Sequence, residues 1–172
     1  QSMVQQNAPD YVGGGPLGTL TDDGCGIKMA LALGADTAYM DKISAWRFIN
    51  PPQAFARGVM VGPSGNRICN ELYYGAQVGD LMMKHHQGKA WVIVDSDLRK
   101  QALKDLNLKQ ALWFHCLLGW FFIFGSSKKA DSIRTLAYKL GIDANQLNET
   151  VTNYNSLADN DQADPMGKPK DY

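Results

Sequence analysis

The chain has 172 residues, which is the size of one ordinary domain and long enough to bury a hydrophobic core. Apolar residues make up 45% of it and charged residues 20%, and seventeen basic side chains balance seventeen acidic ones. This neutrality excludes a large field that would attract nucleic acid or anionic lipid, although a local basic patch is compatible with it. We therefore predict a globular protein without a nucleic-acid partner.

The cysteines and the most apolar stretch narrow the class further. Cys25, Cys69 and Cys116 are scattered and odd in number, so we predict reduced core thiols and no disulfide or metal site. Residues 112–124 are shorter than the roughly 20 apolar residues that span a bilayer. They predict a buried segment or the lining of an apolar ligand site, with no transmembrane segment. No signal peptide is visible, and we expect a cytoplasmic location.

The opening of the chain is rich in glycine and proline, so its first twenty residues are predicted to form a loop. Asp22 and Asp23 then offer capping side chains to a short helix that should end at Gly34. A glycine-rich entrance can bind phosphate, but the two carboxylates favour simple capping. No G-x-G-x-x-G follows a predicted strand, so a self-sufficient dinucleotide-binding half is missing.

The middle of the chain predicts a β-hairpin, with arms at 58–61 and 67–71 around a turn at 62–66. Other predicted elements are a strand at 90–94 and helices at about 78–88, 98–106 and 132–140. Asp143 lies three residues before Gln146, which predicts a helix from 144 to about 157, and the polar tail should be a loop. Strands and helices do not alternate regularly, so we predict an α+β fold.

Four passages together resemble one protein family. They are Thr21-Asp22-Asp23-Gly24 with Gly26-Ile27 and Met29-Ala30; Gly65-Asn66-Arg67-Ile68-Cys69-Asn70-Glu71; Ala90-Trp91-Val92-Ile93-Val94-Asp95; and Ala130-Asp131-Ser132-Ile133 with Leu140-Gly141-Ile142-Asp143. Their order along nearly the whole chain is similar to that in the FAD-dependent 3-ketosteroid dehydrogenase and fumarate reductase flavoproteins.

The resemblance implies a domain plan and a cofactor. Residues 1–45 would be the edge of an FAD-binding domain, 46–165 an α+β capping domain over the substrate, and 166–172 a return segment toward the FAD-binding domain. The chain would then be a fragment whose partner is the rest of the parent flavoprotein. FAD would be bound mainly by parts of that protein absent here, and the isolated chain should be inactive.

Proton transfer is assigned by the same resemblance to two candidates. In the fumarate reductase branch the arginine of the second passage donates a proton, and Arg67 occupies its position; a structural ion pair with Glu71 or Asp41 is the alternative. In the ketosteroid branch a tyrosine shortly after this passage acts on a carbon-bound hydrogen next to the carbonyl. Tyr74, and less so Tyr73, corresponds to it, with packing at a helix start as the alternative.

The substrate class follows from a departure from the family pattern. Fumarate reductases carry a histidine where this chain has Trp46, and their threonine–glutamate pair is absent after residues 58–61. An indole suits a flat apolar ligand better than a small dianion. We therefore predict a 3-ketosteroid-like apolar ketone, contacted by Trp46, Phe48, Phe55 and Tyr73, with core packing as the alternative for the aromatic residues.

The resemblance thus predicts an FAD-dependent oxidoreductase that removes or adds hydrogen across a carbon–carbon bond next to a carbonyl. Two alternatives stay open: a fumarate-type dicarboxylate as the substrate, and an inert binding module when the chain is isolated. His85 and His86 project on different faces of a helix end, so we expect no metal site there.

Overall fold

The computed structural model describes residues 2–15, 18–19, 21–46, 52–106 and 113–172. They divide into two units, Gln1–Ala45 and Trp46–Tyr172. The first unit contains helix α1 (Ser2–Asn7), a 3₁₀ turn at Pro9–Tyr11 and helix α2 (Cys25–Ala32). The assignment of 1–45, 46–165 and 166–172 to an FAD-binding edge, a cap and a return segment stays a prediction.

The prediction of a loop over the first twenty residues is wrong at its start, where α1 lies. The chain has no glycine or proline before Pro9, so nothing there prevents a helical turn. The side-chain amide of Asn7 donates to the carbonyl of Met3 at 2.9 Å, one turn back. The helix therefore ends where the helix-breaking residues begin.

Helix α2 begins differently from the capping interpretation, because its N-cap residue is Gly24, which has a φ of 76° and no side-chain capping bond. The Asp23 carboxylate, one residue earlier, accepts the N–H of Cys25 at 2.9 Å and so still bonds to the first residue of the helix. No residue of this helix is buried, and Cys25 is exposed. The prediction of a core thiol is therefore wrong for Cys25. It is confirmed for Cys69 and Cys116, both of which are buried and free.

The second unit combines helices with one small sheet, which confirms the mixed α+β class. Its elements are a 3₁₀ helix at Gln53–Arg57, strand β1 (Val59–Val61), helix α3 (Gly75–His85), strand β2 (Trp91–Ile93), helix α4 (Ser96–Asp105), helix α5 (Trp113–Trp120), a π-helix at Phe121–Ser126, helix α6 (Ile133–Leu140) and helix α7 (Ala144–Asp159). Strands β1 and β2 pair antiparallel, with Met60 opposite Val92.

The predicted hairpin forms its turn but not its second strand. The N–H of Gly62 donates to the carbonyl of Asn66 at 3.0 Å, and one antiparallel bridge joins Val61 to Arg67. Beyond this bridge the N–H of Met60 donates to a carboxylate oxygen of Glu71 at 2.8 Å. A side chain thus takes the place of the backbone acceptor that a continuing strand would provide.

Strand β1 is buried on both faces and joins two core clusters. On one face it contributes to the cluster Val59, Val61, Ala137, Ile142 and Leu147, which packs α6 and α7 against the sheet. On the other face it contributes to the cluster Met60, Cys69, Val78 and Met82, which packs α3. A third cluster, Ala54, Ala102, Leu106 and Ile123, joins the 3₁₀ helix to α4 and to the π-helix.

Two local signals place α6 and α7 where the sequence predicts them. Ser132 caps α6 by accepting the N–H of Thr135 at 3.2 Å, and Gly141 ends it with a φ of 70°. Asp143 caps α7 by accepting the N–H of Gln146 at 2.8 Å. The tail after α7 contains no helix or strand, as predicted.

The apolar stretch near residue 113 differs from the prediction of a buried segment. Its described part forms α5 and the π-helix. Among the side chains that the structure describes there, which exclude those of residues 114 and 115, only those of Cys116 and Ile123 are buried, together with Gly119. Residues 107–112 also lie outside the described residues. Across the described ranges, every helix is too short or too polar to span a bilayer.

Two glycines with positive φ provide a matched test of turn packing. A Cβ at Gly65, where φ is 84°, would lie 2.9 Å from Cγ2 of Ile142 and 3.2 Å from the N of Leu147, whereas at Gly141 it would meet nothing within 4 Å. We expect Gly141→Ala to lower the free energy of unfolding by about 1–2 kcal/mol through backbone strain. Gly65→Ala should cost about 1–3 kcal/mol more through overpacking. Equal losses in urea unfolding would contradict this packing argument.

Candidate functional site

The predicted proton donor Arg67 belongs to a largely buried cluster of four charged groups. Its Nε donates to Oε1 of Glu71 at 2.9 Å and its NH2 group donates to Oε2 at 2.7 Å, a two-point contact. Its NH1 group donates to Asp164. The guanidinium therefore binds two carboxylates at once, and one of them is the Glu71 pairing that the sequence left open as its alternative.

Glu71 is the centre of this cluster. Its side chain is 0% exposed and accepts hydrogen bonds from Arg67 and from the N–H of Met60. The ammonium of Lys168 lies 3.1 Å from Oε2 of Glu71, and its side chain is only 2% exposed. Two cations and two anions are therefore buried together with no excess formal charge.

Tyr154 of α7 covers this cluster with its ring. The guanidinium of Arg67 lies 4.8 Å from the ring centroid, and Nζ of Lys168 lies 5.0 Å from it. Nζ of Lys168 also donates to the Tyr154 hydroxyl and, at 2.9 Å, to the carbonyl of Gly58. Burial, and secondarily the charge of Glu71, raises the pKa of Tyr154 to about 12. This phenol therefore stays neutral near pH 7.

The charge states of the cluster follow from burial and pairing. Burial opposes the charged form of Arg67, but the hydrogen bonds to Glu71 and Asp164 outweigh it and raise the pKa of the guanidinium. Burial favours the neutral acid of Asp164, but the hydrogen bond from Arg67 outweighs it and lowers that pKa. Burial lowers the pKa of Lys168, and Glu71 opposes this effect. Arg67 and Asp164 therefore stay charged at neutral pH.

Asp164 should make stability depend on acid pH. Its pKa lies below the ordinary value of 3.8 in the folded chain, so its contribution is present above about that pH and is lost as the pH falls through the folded value. We expect Asp164→Asn to lower the free energy of unfolding at neutral pH by about 1.5–3 kcal/mol and to flatten its decline in acid. Urea unfolding over a pH series measures both effects. The exposed Asp159→Asn should change neither, and an unaltered acid decline in Asp164→Asn would contradict this assignment.

The sequence interpretation missed Asp164, Lys168 and Tyr154 as members of the cluster. The first two lie in the polar tail that was predicted only as a loop, and they are 93 or more residues from Glu71 along the chain. No local pattern marks a lysine that will be buried. The one available signal was Tyr154, which lies on the inward stripe of α7 near Leu147 and Thr150.

The predicted tyrosines lie at the surface, just after the buried Glu71. Tyr74 is the N-cap residue of α3 and is 62% exposed, whereas Tyr73 is 38% exposed. The ring of Trp46 meets Tyr74 edge-on, with centroids 4.6 Å apart and planes at 73°. Within the described part of the chain, no residue forms a hydrogen bond with the Tyr74 hydroxyl. We call the contact between Trp46 and Tyr74 the aromatic edge.

Of the two remaining predicted substrate contacts, one packs against the core and the other lies outside the described residues. Phe55 is half-buried and packs against both the Met60 cluster and the Ala102 cluster, so it joins two parts of the core. Phe48 lies outside the described residues. The structure therefore brings Trp46 and Tyr74 together and places Phe55 in packing. The roles of Tyr73, Tyr74, Arg67, Trp46, Phe48 and Phe55 toward a substrate stay predictions.

The described residues do not fit an FAD pyrophosphate. At the glycine-rich entrance of α2 the Asp23 carboxylate already accepts the N–H of Cys25, and this hydrogen bond lowers the pKa of Asp23. A fixed negative charge there repels a phosphate group. The groove beside this helix, lined by Ile27, Ala30, Leu31, Asp36, Thr37, Ala38 and Met40, holds about 280 Å³. This volume is below the roughly 300–1,000 Å³ of ordinary ligand sites.

A metal site is not evident in the described ranges, where no three His, Cys, Asp or Glu side chains converge. The rings of His85 and His86 lie 6.4 Å apart at 74° to one another. Partial burial, and to a smaller extent the charge of the neighbouring His85, lowers the pKa of His86. The pair lies at the end of α3, where His85 is the last helical residue and His86 is the C-cap.

Two known proteins are similar to most of this chain. No protein-family model matches it. It is 37% identical over 150 residues to a 3-oxo-5-alpha-steroid 4-dehydrogenase of Comamonas testosteroni, a match that covers 87% of this chain and 28% of that protein. It is 27% identical over 146 residues to a probable fumarate reductase, Ifc3, of Shewanella frigidimarina, covering 79% of this chain and 22% of that protein. The chain thus spans less than a third of the length of either relative.

A solved structure matches almost the entire chain. The 3-ketosteroid-delta4-(5alpha)-dehydrogenase of Rhodococcus jostii RHA1, in complex with 4-androstene-3,17-dione, superposes with a TM-score of 0.80 and 27% sequence identity. The match covers 99% of this chain and 33% of that protein.

Proposed function

Because this chain is homologous to part of the 3-ketosteroid dehydrogenases and fumarate reductases, as its four motifs indicate, we propose that it is the substrate-capping segment of a longer FAD-dependent oxidoreductase. The longer protein removes or adds hydrogen across a carbon–carbon bond next to the carbonyl of a 3-ketosteroid-like substrate. The aromatic edge formed by Trp46 and Tyr74 carries the proposal, because it offers a flat ketone an apolar contact beside an acid–base group. A cytoplasmic location stays a prediction from the sequence.

The surroundings of Arg67 favour a ketone over a dicarboxylate. A dicarboxylate site needs cations that are free to bind carboxylates. Arg67 already binds Glu71 and Asp164, and Lys168 lies against Glu71, so both buried cations are neutralised within the cluster. Trp46, at the position where the fumarate reductases have a histidine, adds no charge. The ion-pair interpretation of Arg67 is therefore the one that we carry forward.

Tyr74 is the residue of this chain that we assign to proton transfer. As a phenolate, after its own proton has passed to water at this exposed position, its oxygen would take the proton from the carbon next to the substrate carbonyl. In the reverse direction the neutral hydroxyl would return a proton to that carbon. FAD, which the homology implies, would exchange the hydride and would be held by other parts of the longer protein. Trp46, packed edge-on against Tyr74, would orient the phenol and keep water from the reacting carbon.

Turnover of the full-length protein tests the substrate class. We expect reduction of an artificial electron acceptor with a saturated 3-ketosteroid, and little oxidation of reduced viologen with fumarate. The fumarate reductase relative keeps the dicarboxylate alternative open. Activity with fumarate and none with the steroid would exclude the steroid assignment and favour that alternative.

Addition of FAD to the purified 172-residue chain tests the capping assignment. We expect no stoichiometric flavin complex and no turnover, because the Asp23 carboxylate at the α2 entrance would repel a phosphate group. An absorption spectrum of bound flavin at one equivalent per chain would show that the chain binds FAD by itself, contrary to this assignment.

A further inference from the structure

One helical face of the second unit is apolar yet lies at the surface. Leu117 and Trp120 of α5, and Phe121 and Phe124 of the π-helix, are 45–64% exposed. Their spacing of three, one and three residues places them on one side of the helical segment. We call these four residues the apolar stripe. Large apolar side chains that are exposed together in this way mark a surface that contacts another protein, a membrane or a ligand.

The apolar stripe does not pack into the hydrophobic core, because a different side of the same helical segment makes the core contacts. Cys116, Gly119 and Ile123 face inward and are buried. The backbone of Gly119 lies so close to Leu106 that a Cβ there would fall 2.4 Å from Cδ2 of Leu106. Helix α5 is thus packed through one face, and the apolar stripe is a second apolar face.

Three lysines adjoin the end of the apolar stripe. Lys128, Lys129 and Lys139 line a groove of about 510 Å³ together with Phe124, and we call it the lysine groove. The guanidinium of Arg99 lies 5.5 Å from the Phe124 ring and adds another cation beside it. The apolar stripe therefore ends against a basic surface.

These lysines are not neutralised by the protein. In the described part of the chain five lysines form ion pairs, namely Lys42, Lys84, Lys100, Lys168 and Lys170, whereas Lys128, Lys129 and Lys139 do not. The Lys139 ammonium donates to the carbonyl of Lys129, a contact that leaves its charge uncompensated. Residues 113–140 contain four basic side chains, Lys128, Lys129, Arg134 and Lys139, and one acidic side chain, Asp131. The whole chain has a formal net charge of zero, so this excess is local and suits an anionic partner.

We propose that the apolar stripe and the lysine groove bind the surface of an anionic lipid bilayer. Tryptophan and phenylalanine rings insert at the boundary between headgroups and acyl chains, and lysines beside them bind lipid phosphates. The segment lies along the surface, since residues 113–126 are too few to span the roughly 30 Å hydrocarbon core. The proposal does not depend on the reaction assigned to the longer protein.

Two other occupants fit the charges less well. A two-fold dimer would bury both apolar stripes but would supply no anion to either lysine groove, and with the two segments parallel it would set the grooves side by side with like charges together. Another part of a longer polypeptide would have to bury ammonium groups that no carboxylate neutralises, or supply a carboxylate to each of them. An anionic bilayer satisfies both the rings and the lysines without these costs.

Vesicle binding by the full-length protein tests the proposal. We expect cosedimentation with vesicles of phosphatidylcholine and phosphatidylglycerol, weak binding to phosphatidylcholine alone, and release at high salt. The double substitution Lys128→Gln/Lys129→Gln should weaken binding about thirtyfold, since each lysine near an anionic surface contributes about a factor of five. Phe121→Ser/Phe124→Ser should weaken it by about tenfold or more.

Matched variants separate this surface from general effects. Lys89→Gln/Lys104→Gln removes two exposed charges elsewhere in the second unit, and Leu33→Ser removes an exposed apolar side chain of the first unit. Neither should change vesicle binding, and circular dichroism checks that all variants remain folded. Equal binding to both vesicle types, no binding at all, or binding unaffected by Phe121→Ser/Phe124→Ser would overturn the proposal. A dimer that this double substitution dissociates, without vesicle binding, would identify a second copy as the occupant.

Discussion

Tyr74→Phe in the full-length protein should lower kcat for a 3-ketosteroid by about 10²–10⁴-fold, the usual contribution of a positioned acid–base group. The substitution removes only the hydroxyl and keeps the ring that meets Trp46 at 4.6 Å. Substrate binding should therefore change little, and KM should stay within a few-fold of its original value. Steady-state kinetics with the steroid and an artificial electron acceptor measure both constants.

Two other tyrosines make this result specific. Tyr138 of α6 is 87% exposed, and Tyr138→Phe should leave kcat unchanged. Tyr73→Phe distinguishes the neighbouring candidate, which should affect KM more than kcat if it contacts the substrate. A large loss of kcat in Tyr73→Phe together with an active Tyr74→Phe would move the proton-transfer assignment to Tyr73.

Glu71→Gln should lower the free energy of unfolding of the chain by about 3–5 kcal/mol, which is the expected cost of removing one partner from a buried ion pair. The change leaves Arg67 and Lys168 opposite Asp164 alone, so the buried cluster gains one uncompensated positive charge. It also weakens the acceptor of the Met60 N–H next to β1. Urea unfolding followed by circular dichroism measures the loss.

A double substitution shows whether charge causes that loss. Lys168→Met in the Glu71→Gln background removes one of the two cations, so the combined loss should be smaller than the sum of the two single losses. Glu149→Gln removes an exposed carboxylate of α7 and should stay within about 0.5 kcal/mol of the original chain. Additive losses, or an equal loss in Glu149→Gln, would show that a buried charge is not the reason.

The charged cluster and the aromatic edge are linked through neighbouring positions in the chain. In the interior, Glu71 bonds to Arg67 and to the backbone of β1. Tyr73 and Tyr74 lie two and three residues later, and α3 begins at the next residue. The N–H of Tyr73 donates to the carbonyl of Asn70 at 3.0 Å, which tightens this turn. Under the proposed function, Arg67 is thus a positioning residue that acts through Glu71. Stability would depend on it more strongly than turnover does.

Signals carried by a few adjacent residues were sufficient for much of the fold. Asp143 with Gln146, and Ser132 with Gly141, determine where α7 and α6 begin and end, because a cap satisfies backbone groups within one turn. The same holds for the strand at 91–93 and for the turn at 62–66. The order of four motifs also identified the homology, since residue order is a property of the chain and not of its packing.

Only the tertiary structure decided where charge and apolar surface end up. Lys168 and Asp164 meet Glu71 and Arg67 from a tail that has no pattern of its own, because burial depends on contacts between residues that are distant along the chain. The predicted second strand of the hairpin does not form, because the side chain of Glu71 accepts the N–H of Met60 that this strand would have bonded. The apolar segment that begins at Trp113 has one buried face and one exposed face. A sequence shows which side chains are apolar or charged, whereas a packed fold determines which of them find partners.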